Sequence, residues 1–535
     1  MTMTTEQLAD AIRSTGFEGQ LLTAADELAF YSHDASMFEI VPKLVIKPKN
    51  AHDVTRAVTL VAKQKKHHPE LSLTARSAGT DMSGAAINDS IIMDFGLMNQ
   101  ARILSKSAVV EPGVFFRDFD ALSLKHNLLL PSYPASRDLC MLGGMVNNNS
   151  GGEKSLEYGK TDAYVHGLDF VFSDGKTRHV RPLNRRELLK KIGQKDFEGK
   201  IYKQLFDLLE KNYDVVQAAR PNVSKDSTGY HVWNVWNRDT GVFDMTKAIV
   251  GAQGTLGLVT RANITLVERR AHSGLLVLFL RDINRLGNLI PHLLRHKPAT
   301  LECFDDATLL LGIKFFFSFL KPLGLKKWLK LGVSLVPDAF QFVRGIPKLT
   351  VMVEFNGATE AEVRHKITTL HRELKQYKAR YEINGIEENP TEGRAEKFWI
   401  MRRQSFQLLR SKVKDKHTAP FIDDFVVRPE HLPEFLPKIR KIIKKYKLLA
   451  TIAGHLGDGN FHIIPLMKLE DPKDRMKLLP AMKEVNQLVL QYGGSLSGEH
   501  NDGLVRGPWL EQMYGKEMHE IFKKTKHIFD PDNIF

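Results

Sequence analysis

Hydrophobic and polar positions along this chain follow two alternating rhythms. Short apolar runs read as buried strands, and the longer segments after them carry apolar residues every three or four positions, as amphipathic helices do. Leu44-Val45-Ile46 is the first such run and ends at a Pro-Lys-Asn turn; residues 5 to 38 before it read as helix and loop. A helix is predicted from Asp53 to Gln64, with Val54, Ala57, Val58 and Val61 on one stripe. Ile91 to Asp94 and Ala262 to Val267 read as further strands. Between about 271 and 425 strands alternate with helices: Gly274 to Leu280 and Leu349 to Phe355 are predicted strands, and Ala361 to Lys375 a helix with Val363, Ile367, Leu370 and Leu374 on one face. A last hairpin is predicted in GHLGDGNFHIIP, Gly454 to Pro465. Asp458-Gly459 suits a two-residue turn, because both central positions need φ > 0, and that register sets His455 opposite His462.

Three segments rich in small residues interrupt the first half of the chain: LSLTARSAGTDMSGAA (Leu71 to Ala86), PSYPASRDLCMLGGMVNNNSGG (Pro131 to Gly152) and GAQGTLGLVT (Gly251 to Thr260). No G-x-G-x-x-G follows one strand and opens one helix, so they do not form a Rossmann fingerprint. Any one of them could be a plain tight turn. Three together, with many backbone N–H groups free of Cβ obstruction, point to a nucleotide pyrophosphate cradle assembled from several loops.

The hairpin carries the second piece of chemistry. Directly opposed residues on one face of a strand pair have Cβ atoms roughly 4.5–5.5 Å apart, close enough for two imidazoles to share a cation. Glu499, in the small-residue stretch GGSLSGEHND, offers a third ligand, and His500 stands beside it as a titratable base. Singly, these are equally well read as ordinary strand histidines and a surface acid. The glycine-rich turn and the Gly-flanked Glu-His pair together favour a divalent metal site of His455, His462 and Glu499, with Zn2+ ahead of Mn2+ and Fe2+. Successive residues on a strand face opposite ways, so Glu499 and His500 reach one site only from an irregular backbone, which Gly498 allows.

The chain has 535 residues, 43% of them hydrophobic, which predicts two or three domains each with its own core. Cys140 and Cys303 are its only cysteines and form no C-x-x-C pair, which argues against a disulfide framework or an iron–sulfur cluster held by this chain. MTMTTEQLADAIRS is polar and is not read as a secretory signal, and no run reaches the ~18 uncharged apolar residues of a spanning helix. The net charge of +14 is concentrated: Ala307 to Leu349 holds seven basic residues against the single acid Asp338, interleaved with seven aromatics. Pro322 and Gly324 divide this segment into short amphipathic pieces, the composition of a surface that lies in an anionic membrane interface. The expected location is therefore cytoplasmic and peripheral on the inner face of the membrane, with membrane quinone as electron acceptor. The plain alternative is a cap whose aromatics pack inside it. Nucleic acid is disfavoured, because the basic residues alternate with large aliphatics.

TARSAGTDMSGAA, VVEPG at Val109 to Gly113, GGMVNNNSGG with Tyr158-Gly159-Lys160-Thr161-Asp162 after it, and GAQGTLGLVT resemble the FAD-binding domain of the vanillyl-alcohol-oxidase (PCMH) type. HLGDGNFH and SGEH resemble the C-terminal half of its D-lactate and D-2-hydroxyglutarate dehydrogenase branch, although GEHND stands here where GEHG is commoner. The resemblance implies an α+β protein: an N-terminal helical segment (1–37), a two-part FAD-binding domain (38–270), a ferredoxin-like α+β cap (271–425) with the basic-aromatic insert at 307–349, and a C-terminal metal and catalytic segment (426–535) whose helices and hairpin return to the FAD domain. It implies FAD in an extended pose, with Arg76, Ser77, Ala78, Gly79, Thr80 and Asp81, followed by Ser83 and Gly84, at the pyrophosphate. Ser136, Gly143, Gly144, Asn148 and Ser150 fall on the isoalloxazine and ribityl side, and Gly254, Thr255 and Val259 near the adenine. A guanidinium holds a carboxylate through two parallel hydrogen bonds, and the resemblance favours Arg402, beside Arg403, as the substrate clamp. The implied reaction is oxidation of a small D-2-hydroxy acid, D-lactate being the simplest, with His500 as base and hydride passing to the flavin. D-2-hydroxyglutarate or glycolate with a soluble acceptor, non-redox chemistry of the alkyl-glycerone-phosphate synthase type, and a non-catalytic scaffold are the rivals; a homodimer is compatible with all of them.

Overall fold

The computed structural model of the chain describes residues 2–306, 308–310, 346–412, 415–450 and 452–535, with the side chains of 404–412 excepted. The basic-aromatic segment 307–349 therefore lies almost wholly outside the described residues. No helix among the described residues is long and apolar enough to cross a membrane.

Helix α1 (Thr5–Ser14) leads into a four-stranded sheet of β1 (Gln20–Leu22), β2 (Leu44–Lys47), β3 (Leu73–Arg76) and β4 (Ile91–Asp94), in the order β1-β2-β4-β3. β2, β4 and β3 run parallel, and a parallel pair needs a crossover. Helix α2 (Ala51–Gln64) supplies it, starting two residues before the predicted Asp53 because Asn50 accepts from the backbone N–H groups of His52 and Asp53. Leu8, Ala9 and Ile12 of α1 share a core with Leu44, Ile46, Val54 and Val58, and β1 pairs with β2, so residues 1–37 belong to this first lobe and are no separate segment. The second lobe is an antiparallel five-stranded sheet of β5 (Ala101–Leu104), β6 (Ser107–Val110), β7 (Val165–Val171), β8 (Thr177–Val180) and β9 (Leu258–Thr265), ordered β5-β6-β9-β7-β8. The first small-residue segment contains β3 and runs toward β4, the middle one forms helix α3 (Leu142–Asn148), and the third leads into β9.

The cap is built on β10 (His272–Leu280), helix α4 (Leu286–Arg295), β11 (Thr300–Asp305), β12 (Leu349–Gly357), helix α5 (Glu360–Gln376) and β13 (Ile383–Asn389). The order β13-β10-β12-β11, antiparallel throughout, is the split βαβ arrangement expected of a ferredoxin-like unit. β10 reads HSGLLVLFL, apolar on both faces, because both faces are covered. Leu276, Leu278 and Leu280 pack under α4 and α5, while Leu275, Val277 and Phe279 meet Ala395, Phe398 and Trp399 of helix α6 (Glu392–Lys412).

The sheet does not stop at β11. β14 (Phe425–Val426), β15 (Ile452–His455) and β16 (Asn460–Ile463) extend it to seven strands in the order β13-β10-β12-β11-β15-β16-β14. The boundary drawn at 425/426 thus falls inside a strand, and the predicted histidine hairpin belongs to the cap sheet. The chain returns to the first half from Ser497 onward: Gly498, Asn501 and Asp502 bond Ser227, Gly251 and Gly229, Met518, Ile521, Phe522 and Phe529 of helix α7 (Leu510–Phe529) join the core of the second lobe, and Ile534 joins that of the first.

Candidate functional site

The hairpin places its two histidines together by a register other than the predicted one. Leu456–Asp458 form a turn of 3-10 helix and Gly459 takes φ +67°, so the loop uses four residues instead of two, and the first pair is His455↔Asn460. A Cβ at Gly459 would stand 1.8 Å from the Val427 carbonyl oxygen, so only glycine closes this loop. His462 then faces Ala453. A slip of two residues preserves the alternation of faces, so both imidazoles still project to one side, as diagonal neighbours with ring centroids 5.3 Å apart.

Glu499 meets them. Its Oε1 lies 3.3 Å from His455 Nε2 and 3.3 Å from His462 Nε2. Ligands bound tetrahedrally at about 2.0–2.1 Å stand about 3.3–3.4 Å from each other, so Glu499 Oε1 stands from each imidazole as a second ligand of a zinc-sized ion would. The opposite nitrogens are also fixed: His455 Nδ1 is 2.5 Å from Glu302 Oε1 and His462 Nδ1 is 3.2 Å from Asp423 Oδ1. Carboxylates behind ligand imidazoles orient the ring and leave Nε2 for the ion. Lys225, buried, donates to Glu499 Oε2 at 3.1 Å and leaves Oε1 for the shared centre. Asp424 and His500 also bring ligand atoms within 4.8 Å of those of His462 and Glu499. His500 Nε2 stands farther off, 3.9 Å from Glu499 Oε1, and Asp424 Oδ2 is committed to other donors. The ligand atoms that come together are those of Asp424, His462, Glu499 and His500, and His455 meets this group through its 3.3 Å contact with Glu499 Oε1.

Asp424 explains how adjacent Glu499 and His500 reach one site. With φ +68°, it turns Oδ2 to accept from the backbone N–H groups of Gly498, Glu499 and His500 at 3.0, 2.9 and 2.7 Å and from Ser497 Oγ at 2.6 Å. Three consecutive N–H groups converging on one oxygen impose the irregular backbone that strand geometry would forbid. His500 then lies with Nδ1 2.8 Å from Asp423 Oδ2 and its ring stacked on His462.

The electrostatics are those of a site with anionic surplus. Burial pushes the His462 imidazole down, but Asp423 and Glu499 outweigh it and hold it up at about 10. Burial likewise opposes charge on His455 and His500, and Glu302 in the first case and Asp424 with Asp423 in the second raise them nonetheless. For Glu499 burial pushes up, and Lys225 and His455 hold it well below the carboxylate range. A cation can occupy the place these protons take.

Glu499 and His500 are also part of the wall of an elongated cavity between the lobes. It is lined by Ser77, Ala78, Gly79, Thr80 and Asp81 from the first small-residue segment, Ser136, Gly143, Gly144, Asn148 and Ser150 from the second, and Val259 from the third. The backbone N–H groups of Ala78, Gly79 and Thr80 make no hydrogen bond to protein among the described residues. At Gly144 an added Cβ would meet only Ser77, at 3.5 Å, and would fill the cavity. Free N–H donors and an open glycine floor fit an anionic, flat cofactor such as FAD. Five expected contacts are placed elsewhere. The Arg76 guanidinium donates to the carbonyls of His33 and Ala86, Ser83 Oγ is bound to Asp81, and Gly84 and Thr255 line a neighbouring cavity. Gly254, at φ +76°, lines neither of the two; its missing Cβ leaves room for Ala75. Asp81 faces inward as well: Oδ2 accepts from Ser83 and Ala85 N–H groups and Oδ1 from Asn148 Nδ2, so it shapes the loop.

Arg402 Nε donates to Glu302 Oε2 at 3.0 Å, the carboxylate that backs His455, and so stands one residue removed from the cluster. Arg403 is bidentate on Glu153 and lies over the Trp399 ring at 4.8 Å. The sequence reading missed Glu302, Asp423, Asp424 and Lys225. Glu302 had a signal, a carboxylate within the otherwise apolar stretch TLECF; the Asp-Asp pair before β14 was a weaker one, and Lys225 had none.

Two family models match the chain: "FAD binding domain" over residues 42–181 and "FAD linked oxidases, C-terminal domain" over residues 269–535. A D-2-hydroxyglutarate dehydrogenase of Pseudomonas putida is 25% identical across 98% of this chain and 51% of its own length. One from Stutzerimonas stutzeri is 26% identical across 99% of this chain and 98% of its own, and a glycolate oxidase subunit of Bacillus subtilis 24% identical across 94% and 90%. The chain spans about half the length of the relatives from Pseudomonas putida, Haemophilus influenzae and Escherichia coli. Among solved structures, a 4-ethylphenol oxidase from Gulosibacter chungangensis superposes with TM-score 0.68 at 15% identity, covering 100% of this chain and 97% of that one. An alkyldihydroxyacetonephosphate synthase gives 0.65 at 14%, covering 100% and 84%. At such identity these neighbours show the fold alone.

Proposed function

The chain belongs to the FAD-linked oxidase family, of the vanillyl-alcohol-oxidase (PCMH) type, and from that premise we propose that it oxidises a D-2-hydroxy acid with FAD and a divalent ion, Zn2+ first. One observation carries this reading: Glu499 and His500 belong both to the carboxylate-imidazole cluster and to the wall of the FAD-type cavity. Only a substrate bridging the two would use both. Relatives named for D-2-hydroxyglutarate and glycolate support the substrate class, and D-2-hydroxyglutarate joins D-lactate as the acid to test.

Bound FAD would supply a hydride acceptor for C2, and an ion would supply Lewis-acid polarisation of the substrate hydroxyl and carboxylate. His455, His462 and Glu499 would hold such an ion. His500 takes the hydroxyl proton at Nε2, while Asp423, 2.8 Å from its Nδ1, supplies the negative charge that stabilises the imidazolium that forms. Arg402 orients Glu302 behind His455 and offers positive charge to the substrate carboxylate from beyond it. Lys225 keeps Glu499 ionised and directed.

Dye-linked assays with the D and L forms of lactate and 2-hydroxyglutarate test the proposal. Turnover with a D acid, none with its L form, and loss on chelation with recovery on Zn2+ are expected; no turnover with either D acid refutes it. Membrane quinone is the proposed acceptor, on the composition of residues 307–349. Sedimentation with anionic liposomes at low salt, lost on deletion of 312–347, is the expected result, and a supernatant wild type removes that part of the proposal.

A further inference from the structure

A second imidazole-carboxylate cluster lies on the other face of the cap sheet. His292 on α4 and His296 just beyond its end are four residues apart, which places them on one side of the helix, their rings 6.0 Å apart and nearly parallel. Glu373, on α5, reaches both. Its Oε1 is 2.7 Å from His292 Nε2 and its Oε2 is 3.0 Å from His296 Nε2. The three ligand atoms lie within 4.8 Å of one another.

Two further observations separate this group from a chance surface pairing. His292 is 3% exposed, and its Nε2 makes no aligned hydrogen bond among the described residues, even though it points at the Glu373 carboxylate. A buried imidazole nitrogen in contact with an anion but without an aligned bond can exchange that contact for a shared cation. The other nitrogen, Nδ1, is held by the Tyr381 hydroxyl at 2.9 Å, the backing that fixes a ligand imidazole and leaves Nε2 for an ion. Access is open from one side only, because the side chain of His296 is 22% exposed and that of Glu373 is 37%.

We propose that His292, His296 and Glu373 bind a second divalent cation, one that pins helix α4 to helix α5. Two imidazoles and one carboxylate select a borderline ion such as Zn2+ or Co2+ over Ca2+ or Mg2+, which prefer all-oxygen sets. Ligand atoms about 3.3 Å apart suit tetrahedral bonds of about 2.0–2.1 Å, so the carboxylate needs to withdraw by only about half an ångström. Glu373, half exposed on a helix surface, has that freedom. The fourth position faces solvent and takes water. The role is structural: α4 and α5 cover one face of the sheet, whereas Arg402 and the reaction lie on the other.

Zinc content per chain tests this directly, measured by mass spectrometry after gel filtration of the flavin-loaded protein equilibrated with Zn2+ in slight excess. His296→Ala and Glu373→Gln each lose one equivalent relative to wild type, whereas His462→Ala, at the cluster beside the flavin cavity, retains the equivalent that His296→Ala lacks. Zn2+ raises the Tm of His462→Ala by several degrees and leaves that of the His462→Ala, Glu373→Gln double variant unchanged. Equal zinc content in wild type, His296→Ala and Glu373→Gln overturns the proposal, whatever the content of the His462 variant.

Discussion

The flavin cavity and the histidine cluster meet at Glu499 and His500 but are made in opposite ways. The cavity is made of backbone: small residues that keep side chains out, and N–H groups that loops leave unspent. The cluster is made of side chains, each held by another: Glu302 behind His455, Asp423 behind His462 and His500, Asp424 under the Glu499 turn, Lys225 on Glu499. A backbone cradle tolerates loss of a single contact, while a chain of buried ionic partners does not, because every member removed leaves another charge uncompensated. Substitutions in the two regions should therefore fail differently.

The largest expected effect is at the junction. His500→Ala removes the proton acceptor, together with the imidazole that faces Asp423 and stacks on His462, so turnover falls by about 10²–10⁴-fold and Tm falls while the flavin spectrum holds; unchanged turnover removes His500 from the reaction. Asp424→Ala strikes the framework instead. It strands three backbone N–H groups, Ser497 and Asn460, and costs about 3–5 kcal/mol of stability by denaturant unfolding. A loss below about 1 kcal/mol would mean the Glu499 turn holds without it.

Asp502, three residues beyond Glu499, sharpens the comparison: Oδ2 accepts from the Gly229 N–H at 2.7 Å, and burial pushes its carboxyl up to about 7 from the ordinary 3.8. A folded-state value raised above the unfolded one means that its contribution is full below pH ~4 and is lost as pH rises through about 7. Asp502→Asn keeps the acceptor without the charge, so it is more stable than wild type by on the order of 4 kcal/mol at pH 8 and no more stable at pH 4. Parallel pH–stability curves for the two proteins would contradict this. The smallest effect belongs to the cradle. Gly144→Ala puts a methyl in the cavity without a backbone clash, and should weaken flavin binding about tenfold, roughly 1.4 kcal/mol, with the apoprotein Tm unchanged.

The same contrast decides what could be read from the residues alone. Strand and helix positions were legible because periodicity is local, and the ferredoxin-like cap followed from the family resemblance. The hairpin register was misread, since Asp458-Gly459 suits a two-residue turn in isolation and only Val427 and Pro429, packed against Gly459, set the longer loop. The even slip kept both imidazoles on one face. Arg76 and Asp81 looked like phosphate contacts from their motif, but carbonyls of the N-terminal segment and amides of their own loop claim them in three dimensions. The partners behind the ligands, Glu302 and Lys225 above all, lie more than 150 residues from the groups they hold, beyond the reach of any local pattern.

The central claim is that the cavity and the cluster act on one substrate. Anaerobic mixing of the purified flavoprotein with D-2-hydroxyglutarate or D-lactate, followed at the flavin absorbance, tests it most directly. Bleaching by a D acid in wild type, none by its L form, and none in a His462→Ala variant that retains its flavin is the predicted result. A His462→Ala variant that bleaches as fast as wild type, or a wild type that no D-2-hydroxy acid bleaches, would contradict it.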